Sequence, residues 1–396
     1  MTKIFRKIPT YLWSFISLVL GLIIGASFGN HLKIISLGVH SVLTVFIKIV
    51  PVLIFLALSP AINKLASKGN GGKLAASIIF WYLTTSFFAG LIGLIISSFI
   101  FEIKIFSDDG SMLREVYKMF TTLKGDSSNA SLPFFAIIFA IIFGLLATKF
   151  STIQKILNRF DYWINNSFPF ISFIMPFIVF FLGITLGVNT GATENMKNYF
   201  LMTSYTFILC CIWLIIYQLI VIKLFAQQSI KKVMIEYFFP TAIFAAGTCS
   251  SLATLPVNLS NIKKYGVNPS IAGFVMPIGA IINLDTSALA YVAYAPFIMT
   301  IVFDIPITLT SLLVAWPAIV LFTVAAPGLP AGMGTALWSS TLFASLLNFD
   351  DTQTTVFITT WIALSGGLPD MFRTAINCTC DGFTAILFNE KFSDSI

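Results

Sequence analysis

Residues 365–381 read SGGLPDMFRTAINCTCD, and they place charged and polar side chains between two apolar runs, residues 356–364 and 383–388. At about 100° per residue, five of these polar side chains lie within about 60° of Asp370 on one helical face. They are Asp370, Arg373, Thr374, Asn377 and Asp381. A charged group at bilayer depth costs about 2.5–3.5 kcal/mol on insertion scales. Three charges on one face of an apolar helix therefore predict a binding site inside a membrane.

The chain as a whole has the composition of a multi-pass membrane protein. Its hydrophobic fraction is 57% and its charged fraction is 10%, whereas a soluble domain carries about 25% charged residues. Apolar runs recur at the length of ~20 residues that a membrane-spanning helix needs. They cover residues 12–24, 42–58, 75–101, 132–147, 168–186 and 200–224. Residues 1–7 are basic, and the apolar run after them lacks a convincing small-residue cleavage site, so this run is interpreted as the first span.

The distribution of charge predicts the orientation of the chain. Basic residues cluster within residues 3–7, 64–73, 149–159 and 231–264, whereas acidic residues concentrate in the intervening loops, at 108–115, 194, 304 and 350–351. Because basic loops stay on the cytoplasmic side, both termini are expected to be cytoplasmic. The net charge of +7 then needs no nucleic acid partner. We expect an integral protein surrounded by membrane lipid, in a bacterial inner membrane.

Two apolar segments are interrupted halfway by small and polar residues. Residues 234–263 are broken at 247–256 and have lysines near both ends, whereas residues 306–348 are broken at 325–334 and have acidic residues near both ends. A segment that starts and ends on the same side of the membrane is a re-entrant hairpin. The charges at their ends predict that the two hairpins enter from opposite faces.

A helix with polar residues at mid-depth follows each predicted hairpin. The first contains Asn283-Leu284-Asp285, and the second contains Asn377 and Asp381. Either the helix unwinds at Asn283 and exposes carbonyls for a cation, or Asn283 and Asp285 serve two sites; the nearby Pro277 and Gly279 favour unwinding. A hairpin followed by a broken helix, twice and in opposite orientation, is the inverted-repeat layout of secondary transporters.

Four motifs carry a resemblance to a known family over essentially the whole chain. CSSLATLPV at 249–257 resembles a serine-rich hairpin tip, and PIGAIINLDTS at 277–287 resembles an Asn-Met-Asp-Gly-Thr signature. APG at 326–328 resembles a second hairpin tip, and DMFRTAIN at 370–377, with Asp381, resembles a substrate motif. The sequence is thus similar to the dicarboxylate/amino acid:cation symporter family, which has the glutamate-transporter fold.

The resemblance implies an all-α fold of eight transmembrane helices and two re-entrant helical hairpins, arranged as inverted repeats in a homotrimer. Residues 1–72 and 102–195 would form a scaffold from helices 1, 2, 4 and 5. Residues 73–101 and 196–396 would form a transport domain from helices 3 and 6, both hairpins and helices 7 and 8. This domain would cross the membrane as an elevator, with the second hairpin as the outer gate.

The resemblance also implies a substrate site. Arg373 would bind a side-chain carboxylate, Asp370 an amino group, and Asn377 with Ser287 the α-carboxylate. The complete expected set is Arg373, Asp370, Asn377, Thr374, Ser287, Ser250, Ser251, Pro327 and Gly328. Arginine suits this role because its planar guanidinium can grip a carboxylate with two hydrogen bonds.

Two sodium sites are implied in the same way, one around Asp381 and one around Asp285. The complete expected set is Tyr82, Thr85, Ser86, Gly279, Asn283, Asp285, Asn377 and Asp381. Carboxylate, hydroxyl and carbonyl oxygens are the ligands that hard cations prefer. The chain departs from the family pattern at Leu252, Ile281, Leu284, Thr286 and Ser287. The lost hydroxyl at Ile281 puts the sodium site nearest the second hairpin in question.

These features predict a sodium-coupled symporter of aspartate or glutamate that uses elevator-type alternating access and no organic cofactor. A proton-coupled carrier, a neutral amino-acid carrier or a C4-dicarboxylate carrier of the same fold is the alternative, and Arg373 and Asp370 could also form an internal ion pair. A membrane enzyme would need a positioned base, nucleophile or metal cluster, and none is visible in the sequence. A channel fits poorly with two oppositely inserted hairpins.

Overall fold

The computed structural model describes residues 10–35, 72–103, 132–190, 192–325, 333–347 and 349–392, with residues 38, 52, 55, 56, 59, 60 and 63 singly. Within these ranges the chain forms helices and turns and no strand. The mainly helical architecture that the sequence predicts is therefore confirmed. Most of the predicted second span and the polar loop at 106–131 lie outside the described residues.

Fourteen α-helices occur in the described part of the chain. They are α1 (Thr10–Phe28), α2 (Gly72–Ile100), α3 (Leu132–Leu146), α4 (Ser151–Thr190), α5 (Ala192–Tyr217), α6 (Ile230–Val233), α7 (Phe239–Thr248), α8 (Ser251–Tyr265), α9 (Pro269–Ile282), α10 (Asp285–Phe297), α11 (Leu309–Ala325), α12 (Met333–Leu346), α13 (Asp351–Ser365) and α14 (Leu368–Phe392). Three stretches of the described chain are long and apolar enough to cross a membrane: Ala76–Ile100, Asn195–Phe225 and Pro269–Val302.

Helices α1 and α4 pack with their backbones in direct contact. A Cβ atom built on Gly25 would meet the carbonyl group of Ile184, and one built on Gly187 would meet the carbonyl oxygen of Leu22. Small residues allow such close approach between membrane helices, where van der Waals contact replaces the hydrophobic effect as the driving force. The two glycines therefore set the distance between these helices.

Gly25→Ala is expected to destabilise the protein by about 1–3 kcal/mol, because the added methyl group forces the α1 and α4 backbones apart. Gly273→Ala is the matched control, since a Cβ on Gly273 would meet no other atom within 4 Å. The measurement is the unfolding midpoint of each purified variant in detergent. Equal midpoints for the two variants would show that the glycine contact does not determine the packing.

Helices α7 and α8 form an antiparallel pair joined by Cys249 and Ser250. Near the turn, the hydroxyls of Thr248 and Thr254 lie 2.8 Å apart. Further along, Asn261 Nδ2 donates to Thr241 Oγ1 at 3.1 Å. The predicted interruption at 247–256 is too long, because α8 already begins at Ser251 and includes Pro256. Proline has no backbone N–H group. In the first turn of a helix that group would have no intrahelical acceptor, but in the second turn its absence removes a hydrogen bond, so Pro256 locally weakens α8.

Helix α14 lies at the centre of the described fold, in contact with α7, α8, α9 and α10. Between α9 and α10 the chain leaves the helical conformation at Asn283 (φ −99°, ψ 93°) and Leu284 (φ −124°, ψ 50°). Helix α2 packs on α10 so closely that a Cβ on Gly93 would meet the carbonyl oxygen of Leu289. Together, the α9–α10 break and the α7–α8 pair enclose the polar face of α14.

Candidate functional site

The five polar side chains that the sequence places on one face of α14 are all buried in the structure. Asp370, Arg373, Thr374, Asn377 and Asp381 are between 1% and 7% exposed. Arg373 is the most unusual of them, because a fully buried guanidinium requires partners for its charge and its donors. Its surroundings define the first part of the site.

Arg373 forms a buried ion pair with Asp370, one helical turn earlier. Its Nη2 atom donates to Asp370 Oδ1 at 3.0 Å and to the Ser365 carbonyl oxygen at 2.9 Å. Its Nε atom lies 3.4 Å from the carbonyl oxygen of Pro369. The guanidinium is therefore held by the beginning of its own helix and by the end of α13. This arrangement corresponds to the internal ion pair that the i, i+3 spacing allows.

Two tyrosine rings from α10 cover the guanidinium. Its Cζ atom is 4.6 Å from the ring centroid of Tyr291 and 5.7 Å from that of Tyr294. A cation over an aromatic face is stabilised by about 2 kcal/mol when it is desolvated. Neither tyrosine was singled out from the sequence, although their spacing of three places them on one face of a helix.

Two atoms of the ion pair have no hydrogen-bond partner among the described residues. They are Asp370 Oδ2 and Arg373 Nη1, an acceptor and a donor. Leaving a buried polar group unsatisfied costs about 1–3 kcal/mol, and more when the group is charged. A ligand that offers both a donor and an acceptor would satisfy them together.

Asn377 on α14 is hydrogen-bonded to the first turn of α10. Its Oδ1 atom accepts from the Thr286 backbone amide at 2.9 Å, and its Nδ2 atom donates to Ser287 Oγ at 3.1 Å. The Thr286 hydroxyl lies 2.7 Å from Asn377 Oδ1 and 2.9 Å from the Arg373 carbonyl oxygen. The sequence marks Thr286 only as a departure from the family signature, although its hydroxyl stands next to the predicted site residue Ser287.

A first group of oxygen atoms surrounds Asp285, where α10 begins. Asp285 Oδ1 accepts from Thr85 Oγ1 at 3.0 Å and from Ser86 Oγ at 2.8 Å, both on α2. The other carboxylate oxygen, Oδ2, has no partner within the described chain, and the side chain is 0% exposed. A buried carboxylate with an unused oxygen is a favourable position for a cation.

A second group surrounds Asp381 on the other side of the α9–α10 break. Asp381 Oδ1 accepts from Asn283 Nδ2 at 2.9 Å, and a Cβ on Gly279 would meet both this oxygen and the Tyr82 hydroxyl. The Tyr82 hydroxyl also lies 3.4 Å from the Val275 carbonyl oxygen. The chain therefore leaves the helical conformation at Asn283, and Asn283 and Asp285 contact different groups of side chains.

The tip of the α7–α8 pair reaches the same face of α14. Ser250 caps the N-terminus of α8, with its hydroxyl accepting from the Ala253 backbone amide at 3.3 Å, and Ser251 Oγ accepts from the Cys378 thiol at 3.6 Å. Pro327 and Gly328, expected from the second tip, lie outside the described residues.

In the part of the chain that the structure describes, no group of three or more His, Cys, Asp or Glu side chains is placed to hold a metal.

The chain matches the model of the sodium:dicarboxylate symporter family over residues 11–391. It is 26% identical to the serine/threonine transporter SstT of Campylobacter jejuni subsp. jejuni serotype O:23/36 (strain 81-176) over 396 residues, which cover 96% of this chain and 95% of that protein. It is 30% identical to the neutral amino acid transporter B(0) of Mus musculus over 207 residues, covering 50% of this chain and 36% of the relative.

The corresponding protein of Bos taurus is 33% identical over 171 residues, covering 41% of this chain and 31% of the relative. The family model spans nearly all of the chain, and the family and these relatives are transporters rather than enzymes. The resemblance seen in the sequence is confirmed. The chain belongs to the sodium:dicarboxylate symporter family.

Proposed function

We propose that the protein is a sodium-coupled symporter of neutral amino acids of the serine and threonine class. The observation that carries this proposal is the buried ion pair of Arg373 and Asp370, whose atoms lie 3.0 Å apart. Arg373 is the one buried cation among the described residues, and Asp370 already neutralises it. A zwitterion adds no net charge to such a site, whereas an acidic amino acid adds a negative one.

The named relatives support the same choice of substrate. SstT is named as a serine/threonine transporter and the B(0) protein as a neutral amino acid transporter. The preference for aspartate or glutamate expected from the sequence finds no such support. Among the alternatives left open, the neutral amino-acid carrier agrees best with the paired arginine.

The two unsatisfied atoms of the ion pair suit the two ends of such a substrate. Asp370 Oδ2 would accept from the ammonium group, and Arg373 Nη1 would donate to a hydroxyl or carboxylate oxygen. A C4-dicarboxylate has no ammonium group and would leave the Asp370 oxygen without a donor. Thr374, Ser250 and Ser251, with Pro327 and Gly328, are the proposed remainder of the pocket.

Sodium coupling is supported by the balance of buried charge. Three buried carboxylates, those of Asp285, Asp370 and Asp381, stand against one buried guanidinium in the described interior, which leaves two negative charges if all four groups are ionised. Two monovalent cations would neutralise them. Each of Asp285 and Asp381 lies in a group of hydroxyl, amide or carbonyl oxygens of the kind that sodium binds.

We place the carrier in a bacterial inner membrane as an elevator-type homotrimer with cytoplasmic termini, eight spans and two re-entrant hairpins. Residues 1–72 and 102–195 form the proposed scaffold, and residues 73–101 and 196–396 form the proposed transport domain. In support, α14 contacts the α7–α8 pair and the broken α9–α10 segment, which would let these elements move together.

Uptake into proteoliposomes tests this function. Labelled L-serine is expected to accumulate inside the proteoliposomes when sodium is present only outside. Unlabelled L-threonine should inhibit this uptake at a concentration similar to that at which unlabelled L-serine does. L-Aspartate and succinate should compete at least about tenfold less well, since aspartate adds an unmatched negative charge at the ion pair and succinate leaves the Asp370 oxygen without a donor. Liposomes without protein and liposomes with equal sodium on both sides are the controls.

Two outcomes would contradict the proposal. Sodium-driven aspartate uptake that serine does not inhibit would identify an acidic amino-acid carrier. Serine uptake that follows a pH gradient and ignores sodium would identify proton coupling.

A further inference from the structure

Two side chains of α5 contact the groups that hold the Arg373 guanidinium. Tyr199 and Thr206 are seven residues apart, so they lie on one face of this helix. Tyr199 is 1% exposed and Thr206 is 0% exposed. Neither residue is part of the expected substrate or sodium sets.

Tyr199 fixes the turn between α13 and α14. Its hydroxyl accepts from the Leu368 backbone amide at 2.9 Å and donates to the Gly366 carbonyl oxygen at 3.3 Å. Gly367, between them, has φ +66°, in the left-handed region that favours glycine. The residues on either side of this turn, Ser365 and Pro369, supply the two carbonyl oxygens that face the arginine. The turn that the Tyr199 hydroxyl stabilises therefore lies between the two residues whose carbonyl oxygens accept hydrogen bonds from Arg373.

Thr206 fixes the aromatic side of the same guanidinium. Its hydroxyl lies 2.7 Å from the Tyr294 hydroxyl, and the Tyr294 ring centroid is 5.7 Å from Arg373 Cζ. Tyr294 is itself fully buried, so this contact determines where the end of its ring lies. One helix face thus supports the arginine from two directions, through a backbone turn and through an aromatic ring.

We propose that Tyr199 and Thr206 are positioning residues for the amino-acid site. They hold the guanidinium in the orientation in which Nη2 pairs with Asp370 Oδ1 at 3.0 Å and Nη1 keeps no hydrogen-bond partner among the described residues, and neither of them touches the substrate. A shift of the turn moves the Ser365 and Pro369 carbonyl oxygens, and a shift of Tyr294 releases one face of the guanidinium. The inference rests on the proposed function in taking Arg373 and Asp370 as the place where the amino acid binds.

The test uses the full-length carrier in proteoliposomes and two isosteric variants, Tyr199→Phe and Thr206→Val. Helix α5 also provides matched controls. Tyr205→Phe removes a buried hydroxyl that has no partner among the described residues, and Thr203→Val removes one that donates to the Tyr199 carbonyl oxygen at 2.8 Å within the same helix. For each protein, the KM and maximal rate for L-serine are measured, together with sodium binding in the absence of amino acid.

Tyr199→Phe and Thr206→Val are each expected to raise the KM for serine about fivefold to tenfold, as the loss of one buried hydrogen bond implies. Sodium affinity measured without amino acid should stay within about twofold of the wild-type value. The reason is that Tyr199 supports the α13–α14 turn and Thr206 supports the Tyr294 ring, and neither of these structures includes Asp285 or Asp381. The two controls should leave both quantities unchanged. Thr206→Val keeps the test decisive if Tyr199→Phe does not fold.

The proposal is overturned if the variants and their controls change the KM equally, or if sodium binding weakens as much as serine binding does. Failure of the proposed function would look different. In that case the wild type would transport L-aspartate and not serine, and the same four variants would then be compared with aspartate as the probe. A change confined to Tyr199→Phe and Thr206→Val would still support their positioning role at the arginine.

Discussion

Arg373→Met and Asp370→Leu are each expected to destabilise the protein by about 3–5 kcal/mol, whereas the double variant should regain most of that loss. The side chains of the pair are 1% and 5% exposed, so removing one partner leaves an uncompensated charge in the interior. Replacing both partners by apolar residues of similar size removes the charge altogether. The free energy of unfolding in detergent, determined as a double-mutant cycle, measures this coupling.

The Lys232–Glu236 pair is the matched control for this cycle. Its atoms are 4.0 Å apart, but its side chains are 52% and 50% exposed, so Glu236→Ala should change stability by less than about 1 kcal/mol. All three variants at Arg373 and Asp370 should lose serine transport, the stable double variant included. Additive losses of stability in the double variant would show that the two charges do not compensate each other, and serine transport by it would exclude the pair from the site.

Asp285→Asn is expected to weaken sodium binding about a hundredfold or more, because it replaces a carboxylate ligand by a neutral amide of the same shape. In sodium-free buffer the same variant should be more stable than the wild type, since it removes a buried charge whose Oδ2 atom has no described partner. The two proteins should therefore exchange their order of stability as sodium is added.

Unfolding midpoints measured across a sodium titration test this exchange. Thr85→Val should weaken sodium binding about tenfold, whereas Thr84→Val is the control, because Thr84 donates only within its own helix, to the Phe80 carbonyl oxygen at 2.7 Å. If Asp285→Asn follows the wild-type titration, Asp285 does not bind the ion. If both threonine variants weaken binding equally, the effect belongs to the helix and not to the Thr85 hydroxyl.

The sequence predicts the polar face of α14 well, for a physical reason. Charged residues inside an apolar helix are costly, so their spacing must reflect a shared environment. The break at Asn283 could be anticipated in the same way, since Pro277 and Gly279 weaken the helix before it. Both features depend on local chemistry, which a single sequence contains.

The partners of Arg373 could not be predicted, because they come from distant parts of the chain. The spacing of Arg373 and Asp370 allows an ion pair and a substrate site equally, and the fold brings the two side chains together at 3.0 Å. Tyr199 and Tyr291 look like ordinary apolar-face residues of α5 and α10 until the turn and the guanidinium are placed against them. The proposed substrate class rests on this pairing, whereas the arginine alone favours an acidic amino acid.

The bond between Thr85 and Asp285 spans 200 residues of chain, which has a consequence for biosynthesis. While α2 waits in the bilayer, the Thr85 hydroxyl can use the Tyr82 carbonyl oxygen of its own helix, 3.2 Å away, so the early half of the chain exposes no unsatisfied hydroxyl to lipid at this position. Asp285 is inserted into the membrane later, and its carboxylate then requires the Thr85 hydroxyl as a donor. Nascent chains arrested before α14 emerges should therefore contain Asp285 and its hydroxyl partners but lack Asp370, Arg373 and Asp381. In such an intermediate the Asp285 carboxylate has no buried guanidinium to offset its charge.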